Sequence, residues 1–347
     1  MSDRFVAVPS FGEASSPPRR VQKVDPPAAA VRALRSDVSV LGALARYAAD
    51  VRVTDLFVNG DRGLWTDAGA GLAREPGWEA TEAQARELAV HLIALGGRHL
   101  DEASPCVDVR LNHGIRVHAV LPPASSSGTL LSIRLPSTER LSLTALIAAG
   151  LCGTGPGASA TGERLLRAVA ARENLLITGA AGSGKTTLLA ALLAEASPHE
   201  RIVLIEDVAE LQVRHPHVVA LEARQANLEG AGRIGLEALL REALRMRPDR
   251  LVLGECRGAE VRELLTALNT GHDGGAGTLH ANSLADVPAR LEALGALAGM
   301  TASAVARQTV SAIGLVLHLD RHGGLRRLAQ IGRFELDSAG RLTVVAE

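Results

Sequence analysis

The stretch Gly179-Ala180-Ala181-Gly182-Ser183-Gly184-Lys185-Thr186 fits the pattern G-x-x-x-x-G-K-[ST]. It follows the apolar run Leu175-Leu176-Ile177 and opens a helical segment from Thr187 to Glu195, the context that gives the pattern chemical meaning. Its glycines let backbone N–H groups turn inward around phosphate oxygens, and the helix amino terminus adds partial positive charge. Lys185 would meet the β- and γ-phosphates of ATP as a point charge, and the Thr186 hydroxyl would ligate Mg2+. The segment from Gly179 to Thr187 is therefore the candidate nucleotide site. Of 37 basic residues only Lys23 and Lys185 are lysine. A G+C-rich coding bias accounts for the arginine excess, and a planar guanidinium does not replace a compact ammonium at position 185.

Two apolar strands end in carboxylates. Arg250-Leu-Val-Leu253-Gly254-Glu255 carries Gly254 where phosphate-loop enzymes often have Asp, with Glu255 next. Glu255 is the candidate for polarising an attacking water. Arg201-Ile-Val-Leu-Ile205-Glu206-Asp207, followed by Glu210, is the second. Ligands of such sheets bind beyond the carboxyl ends of the strands, so Glu206 and Asp207 are candidates for holding metal-bound waters. The alternative is that they cap the next segment. His272 and His280 lie eight apart in a glycine-rich turn leading into a strand, an arrangement suited to sensing a γ-phosphate. His215-Pro-His217 has no third ligand at suitable spacing and reads as a surface turn.

The elements that must position these groups read as α/β. Apolar runs near 174–178, 201–205, 218–221 and 251–253 alternate with helical segments near 163–172, 185–196, 235–247, 258–269 and 284–298. That alternation implies a largely parallel sheet covered on both faces. Further strands are expected at 315–319, 328–334 and 342–345. The expected division is a proline-rich tail over 1–36, an amino-terminal α/β domain over 37–136, a link at 137–141 and a nucleotide-binding domain over 142–347. The tail reads as a flexible segment, with a docking arm as the alternative.

Within the amino-terminal part, Val107 to Leu111 and Ile115 to Leu121 alternate apolar and polar residues around the turn Asn112-His113-Gly114. Pairing apolar with apolar sets Arg110 opposite Arg116. Like charges facing across a ladder are unfavourable by a few tenths to about 1 kcal/mol. Either Asp108, His118 and water relieve them, or an anion sits near both.

Composition narrows the function. The 347 residues are 47% hydrophobic and 22% charged, enough for a proper core. Net charge is -1 and aromatics are 2%, which argues against direct gripping or stacking of nucleic acid. The three cysteines, Cys106, Cys152 and Cys256, include no C-x-x-C pair. A four-cysteine zinc site is excluded and a reducing compartment is expected. No apolar run reaches the roughly 18 to 20 residues of a membrane span. With no secretory signal visible either, the expectation is a cytoplasmic protein reaching the membrane through partners.

The phosphate loop, Ile205-Glu206-Asp207-Val-Ala-Glu210-Leu211, Leu253-Gly254-Glu255 and the stretch from Thr270-Gly-His272 to Thr278-Leu-His280-Ala-Asn282 occur in that order. Together they resemble the Walker A, aspartate box, Walker B and histidine box of the type II/type IV secretion traffic ATPases. The segments Leu221-Glu-Ala-Arg224-Gln-Ala-Asn227-Leu-Glu229-Gly230 and Arg245-Met-Arg247-Pro-Asp249-Arg250 look closest to the Tad/Flp pilus and conjugal-transfer-associated branch. So do the runs around Arg110, Arg116, Pro122-Pro123 and Ser132-Ile133-Arg134. The resemblance covers about residues 38–335.

It implies a RecA-like P-loop motor domain behind a smaller N-terminal α/β domain, assembled as a homo-hexamer. It also implies a membrane platform protein as partner, at the inner face of the cell membrane; the charge and aromatic content lead to the expectation of no direct nucleic acid. Arginines of the N-terminal domain would reach the nucleotide, favouring the anion reading of Arg110 and Arg116 and adding Arg134. Where the family often has Val this chain has Cys256. The rival readings are a nucleic-acid translocase on the same core and a non-hydrolysing nucleotide-gated scaffold. The first is disfavoured by charge and aromatic content, the second by the intact Lys185 and Glu255.

Overall fold

The computed structural model describes residues 37–69, 71–136, 141–153, 155, 157–224, 232–322 and 325–347. The expected tail over 1–36, residues 137–140 of the expected link and the Gln225–Gly230 part of the branch-specific stretch lie outside the described residues.

The first sheet is built from β1 (Asp55–Asn59), β2 (Leu64–Asp67), β3 (Leu72–Arg74), β4 (Cys106–Arg110), β5 (Arg116–Val120) and β6 (Leu130–Arg134), in the order β3-β2-β1-β6-β5-β4. Its neighbouring strands are antiparallel throughout. Alternation does what the sequence implies. Val107, Val109, Val117, Ala119, Leu131 and Ile133 point into one core with Leu92 and Ile93. Those last two belong to the helix Glu82–Leu95, whose first turn is fixed by a reciprocal Thr81/Gln84 capping box. The turn at Gly114 has φ 82°, and Arg110 does face Arg116.

The second sheet contains β7 (Leu175–Gly179), β8 (Ile202–Glu206), β9 (Val218–Glu222), β10 (Arg250–Cys256), β11 (Ala276–His280), β12 (Leu315–His322), β13 (Leu325–Leu336) and β14 (Leu342–Ala346). Its order is β14-β13-β12-β7-β11-β10-β8-β9. The strands from β12 to β9 are parallel, and β13 and β14 are antiparallel additions at one edge. Near-continuous apolar strands need cover on both faces. Leu175, Ile177, Leu204 and Val252 face the helices Ala158–Ala170 and Lys185–Leu193. Leu176, Val203, Ile205, Leu251 and Leu253 face the helices Leu236–Leu244, Val261–Leu268 and Val287–Leu297. All parallel strands run the same way, so the ends of β7, β8, β10 and β11 converge on one rim, and Gly179, Glu206, Glu255 and His280 stand there. Among the described residues no helix is long and apolar enough to cross a membrane.

The opposite rim is tied by Arg250, 2% exposed. It ion-pairs with Glu200 and donates to Val169 O at 2.8 Å and Gly274 O at 3.2 Å. Removing one partner of a buried pair leaves the other unpaired at a cost of about 3–5 kcal/mol. Arg250→Ala is expected to lower the unfolding free energy by about that amount. Urea denaturation followed by far-UV circular dichroism measures it, and a change within 0.5 kcal/mol, the ordinary range for surface sites, would contradict the assignment.

Candidate active site

The phosphate loop begins where β7 ends. Gly179 has φ 146°, and a Cβ there would lie 2.4 Å from Leu319 O and 2.6 Å from Ser183 Oγ, so only glycine fits. The loop turns through Gly182 (φ 71°) and Gly184 (φ 97°) and enters the helix Lys185–Leu193, with Thr186 and Thr187 half-buried in its first turn. No side chain caps that helix at Gly184, so its first N–H groups face the loop. Lys185 is 7% exposed. Its ammonium donates to Gly179 O at 3.0 Å and Ala180 O at 2.9 Å, and lies 3.3 Å from His280 Nδ1. Burial pushes this ammonium below the ordinary lysine range, with the charges of Glu255 and Glu210 acting against the shift.

His280 links the lysine to the strand-end acid. Its Nε2 stands 2.5 Å from Glu255 Oε1. An ammonium has donors only, so Nδ1 must be the acceptor, and the proton sits on Nε2, facing the carboxylate. The direction at Glu255 Oε1 is poor for a hydrogen bond, so this contact is charge to dipole. Burial, then the Lys185 charge, lowers the His280 pKa, while Glu255 raises it. The other carboxylate oxygen of Glu255 is ion-paired with Arg257, which also lies 4.0 Å from Asp207.

Backbone irregularity aims Glu255. Leu253 pairs with Gly277 and Cys256 with Leu279, so three steps along β10 match two along β11. The extra residue falls at Gly254–Glu255, a bulge of the kind that redirects side chains beside active sites. Gly254 is glycine because its neighbour fills the space: a Cβ there would lie 2.6 Å from Glu206 Cγ. Glu206 is 3% exposed, and its Oε1 accepts from Glu210 N at 2.8 Å and Leu211 N at 2.9 Å. Burial raises its pKa against those two bonds.

Two buried oxygens, Glu206 Oε2 and Ser183 Oγ, have no hydrogen-bond partner. Unsatisfied groups of this kind, one within the phosphate loop and one at the end of β8, fit a polyphosphate with a hydrated divalent cation. Among the described residues no three His, Cys, Asp or Glu side chains converge on a metal. An ion here would be shared with the nucleotide, the usual arrangement for magnesium.

The remaining candidates divide. Arg110 reaches the second sheet and pairs with Glu222 at 2.6 Å; Arg116 pairs with Glu210 at 2.6 Å. Asp108 and His118 do not relieve these arginines, because they pair with each other at 2.9 Å. Arg134 faces Arg116 across β5–β6 and pairs with Asp55 within its own sheet.

His272 is not brought to the phosphate loop of its own chain. It precedes β11, at the rim away from the phosphate loop, and its Nδ1 contacts Ala267 O at 3.2 Å. His280 is the last residue of that five-residue strand, so the two histidines do not meet within one chain. Sequence reading missed Arg257, and it missed Arg326, whose Nε donates to Gly182 O at 3.0 Å. Arginine is too abundant here for either to stand out. A groove of about 800 Å³ near Arg46, Trp78 and Leu88 contains none of the site residues.

A family model described as type II/IV secretion system protein matches residues 81–337. A Mycobacterium tuberculosis protein, provisionally named a conjugal transfer protein, is 47% identical over 308 residues, 87% of this chain and 86% of its own. The type IV secretion system protein PtlH of Bordetella pertussis is 36% identical over 254 residues, 67% of this chain and 73% of its own. In fold, the chain is similar to the pilus retraction motor PilT with bound ADP, at TM-score 0.56 and 19% identity over 90% of this chain and 82% of that one. It is also similar to the Legionella pneumophila ATPase DotB, at TM-score 0.53 and 19% identity over 88% and 78%.

The Lys185–His280 contact predicts a titration. His280 is expected to titrate below the ordinary histidine value near 6.5, and Lys185→Met to move it up by removing the adjacent positive charge. Because the folded pKa is the lower one, this histidine favours folding above the ordinary value, and the contribution is lost as pH falls through the folded pKa. Imidazole proton NMR across pH 4–8, with His280→Asn for assignment, reads it. An unchanged pKa in Lys185→Met would contradict the contact.

Proposed function

This chain belongs to the type II/IV secretion system protein family, and from that premise we propose that it is a Mg-dependent, ATP-hydrolysing motor. In this reading it works as a homo-hexameric ring that powers pilus assembly or secretion. Its shape is that of the RecA-like P-loop ATPases with an added N-terminal α/β unit. The observation that carries the enzymatic reading is the line from Lys185 through His280 to Glu255, at the mouth of a phosphate loop.

On binding, the β- and γ-phosphates of ATP replace the carbonyls of Gly179 and Ala180 as partners of Lys185, and the N–H groups from Gly182 to Thr187 cradle them. Thr186 would ligate a magnesium ion, with Glu206 and Asp207 holding its waters, and such an ion would supply charge neutralisation at the phosphates. Glu255 takes a proton from the attacking water as the γ-phosphoryl bond breaks. Neutral His280 presents its Nε2 proton to Glu255 and its Nδ1 to Lys185, so a change at the phosphate is felt at the base. Arg110 and Arg116 supply positive charge to the phosphoryl group, with Arg134 behind them in the same row. Cationic groups so placed are worth roughly 10³–10⁵ in rate elsewhere.

The division into an amino-terminal unit over 37–136, a link at 137–141 and an ATPase domain over 142–347 lets the two units rotate as nucleotide turns over. Within the family, Arg245-Met-Arg247-Pro-Asp249-Arg250 and the Leu221 to Gly230 stretch support the Tad/Flp branch. In this reading the motor works in the cytoplasm, held at the inner face of the membrane by a platform protein. Near-neutral charge and 2% aromatics support a protein partner over nucleic acid.

Glu255→Gln is expected to retain ATP binding and lower kcat by about 10²–10⁴-fold, the usual worth of a general base. Lys185→Ala is expected to lose binding itself. A phosphate-release assay with a parallel ATP-binding titration checks both, and Glu255→Gln turning over at the parent rate would sink the reading. Stimulation by the cytosolic part of a membrane platform protein supports the secretion motor, whereas stimulation by DNA would support a translocase.

A further inference from the structure

Three arginines stand side by side on the first sheet. Arg110 pairs in register with Arg116, and Arg116 with Arg134. Arg134 is balanced within its own sheet by Asp55, at 3.1 Å. The other two are balanced from outside. Arg110 meets Glu222, the last residue of β9, and Arg116 meets Glu210, on the loop after β8, each at 2.6 Å. Arg116 also donates to Val208 O at 3.4 Å, and its Nε is buried with no hydrogen-bond partner.

The two acids sit on the machinery of the nucleotide site. Glu206 pairs in register with Glu222. The loop between them is bonded at both sides: Glu206 Oε1 accepts from Glu210 N and Leu211 N, and Glu222 Oε1 accepts from Ala209 N at 3.3 Å. The charge of Glu210 is felt at Lys185, and that of Arg110 at Glu206. The arginines are thus held by carboxylates within electrostatic range of the place a terminal phosphate would occupy. Among the described residues one guanidinium nitrogen, Arg116 Nε, has no acceptor.

We propose that Glu210 and Glu222 are positioning residues that act as resing-state counter-ions: they hold Arg116 and Arg110 beside the nucleotide site and compete with the terminal phosphate for them. This deepens the reading of the two arginines as phosphate ligands and rests on it. Three like charges in one row would repel and splay apart without compensation. The carboxylates keep them gathered, and a phosphate carrying more negative charge than a carboxylate takes them over. Binding of ATP then breaks two ion pairs between the sheets, so occupancy of the loop and attachment of the amino-terminal unit become linked.

The test uses the full chain and ATP-binding titrations at fixed salt, with circular dichroism and thermal melting to confirm folding. Glu210→Gln and Glu222→Gln keep the side-chain shape and remove the competing charge. Each is expected to tighten ATP binding by about fivefold, the scale of one partly exposed ion pair. Arg116→Ala and Arg110→Ala are expected to weaken it. In the Arg116→Ala background, Glu210→Gln is expected to have no further effect, which a merely structural role for Glu210 would not produce. If the arginine variants weaken binding while both glutamine variants leave it unchanged or weaken it too, the counter-ion role is overturned and the phosphate-ligand reading stands. If the arginine variants bind ATP as the parent does, both fall together.

Discussion

A buried ammonium whose donors are all taken up, two by its own loop and one by His280, is the constraint around which this molecule is arranged. Lys185 has three hydrogens, and Gly179 O, Ala180 O and His280 Nδ1 receive them. The lysine cannot reach outward without giving up carbonyls, and the carbonyls are available only because glycines let the loop fold around it. Burial already weakens its hold on its proton, so an incoming polyanion relieves an unfavourable desolvation as well as making bonds. The rest of the rim follows. His280 must present a bare nitrogen to the lysine, which fixes its tautomer and sends its proton towards Glu255.

The second sheet solves a spatial problem at the same rim. A carboxylate from β8 and one from β10 would crowd each other if both strands kept regular pleats. The chain removes the side chain at position 254, inserts an extra residue into β10, and thereby lets Glu206 turn in beneath while Glu255 is displaced towards His280. The result is two acids in different settings. Glu206 is buried, hydrogen-bonded to backbone and left with one free oxygen; Glu255 is flanked by an arginine and a histidine. Environments so different suit one acid to holding hydration water and the other to accepting a proton.

Much of this was legible in the residues. The phosphate loop, the strand-end acids and the alternation of apolar runs with helical segments follow local rules, and the structure follows them to within a few residues. The register that faces Arg110 with Arg116 was legible too, because a one-residue slip would have exposed every valine of that hairpin. What was not legible depends on which elements become neighbours. His272 and His280 share a motif but lie at opposite ends of a strand, since spacing of eight along a glycine-rich turn says nothing about direction. The pairing of Glu222 with Arg110 and of Glu210 with Arg116 depends on the second sheet meeting the first, which no local pattern announces. Arg257 and Arg326 were hidden by composition: with 37 basic residues, nearly all arginine, no single one attracts notice.

Gly179 carries a consequence for how the molecule tolerates change. Its missing side chain leaves room for the carbonyl of Leu319 at the end of the adjoining parallel strand, so the base of the loop and the root of the β12–β13 hairpin interlock. That hairpin returns over the loop through Arg326 and touches the connection between β2 and β3 through Arg321, which donates to Gly69 O at 3.3 Å. Loop, hairpin and bridge are therefore joined as a single mechanical part. A substitution in any one of them is read by the others, and grafting a foreign hairpin onto this core would need the loop's first glycine and its neighbour's backbone exchanged in the same stroke.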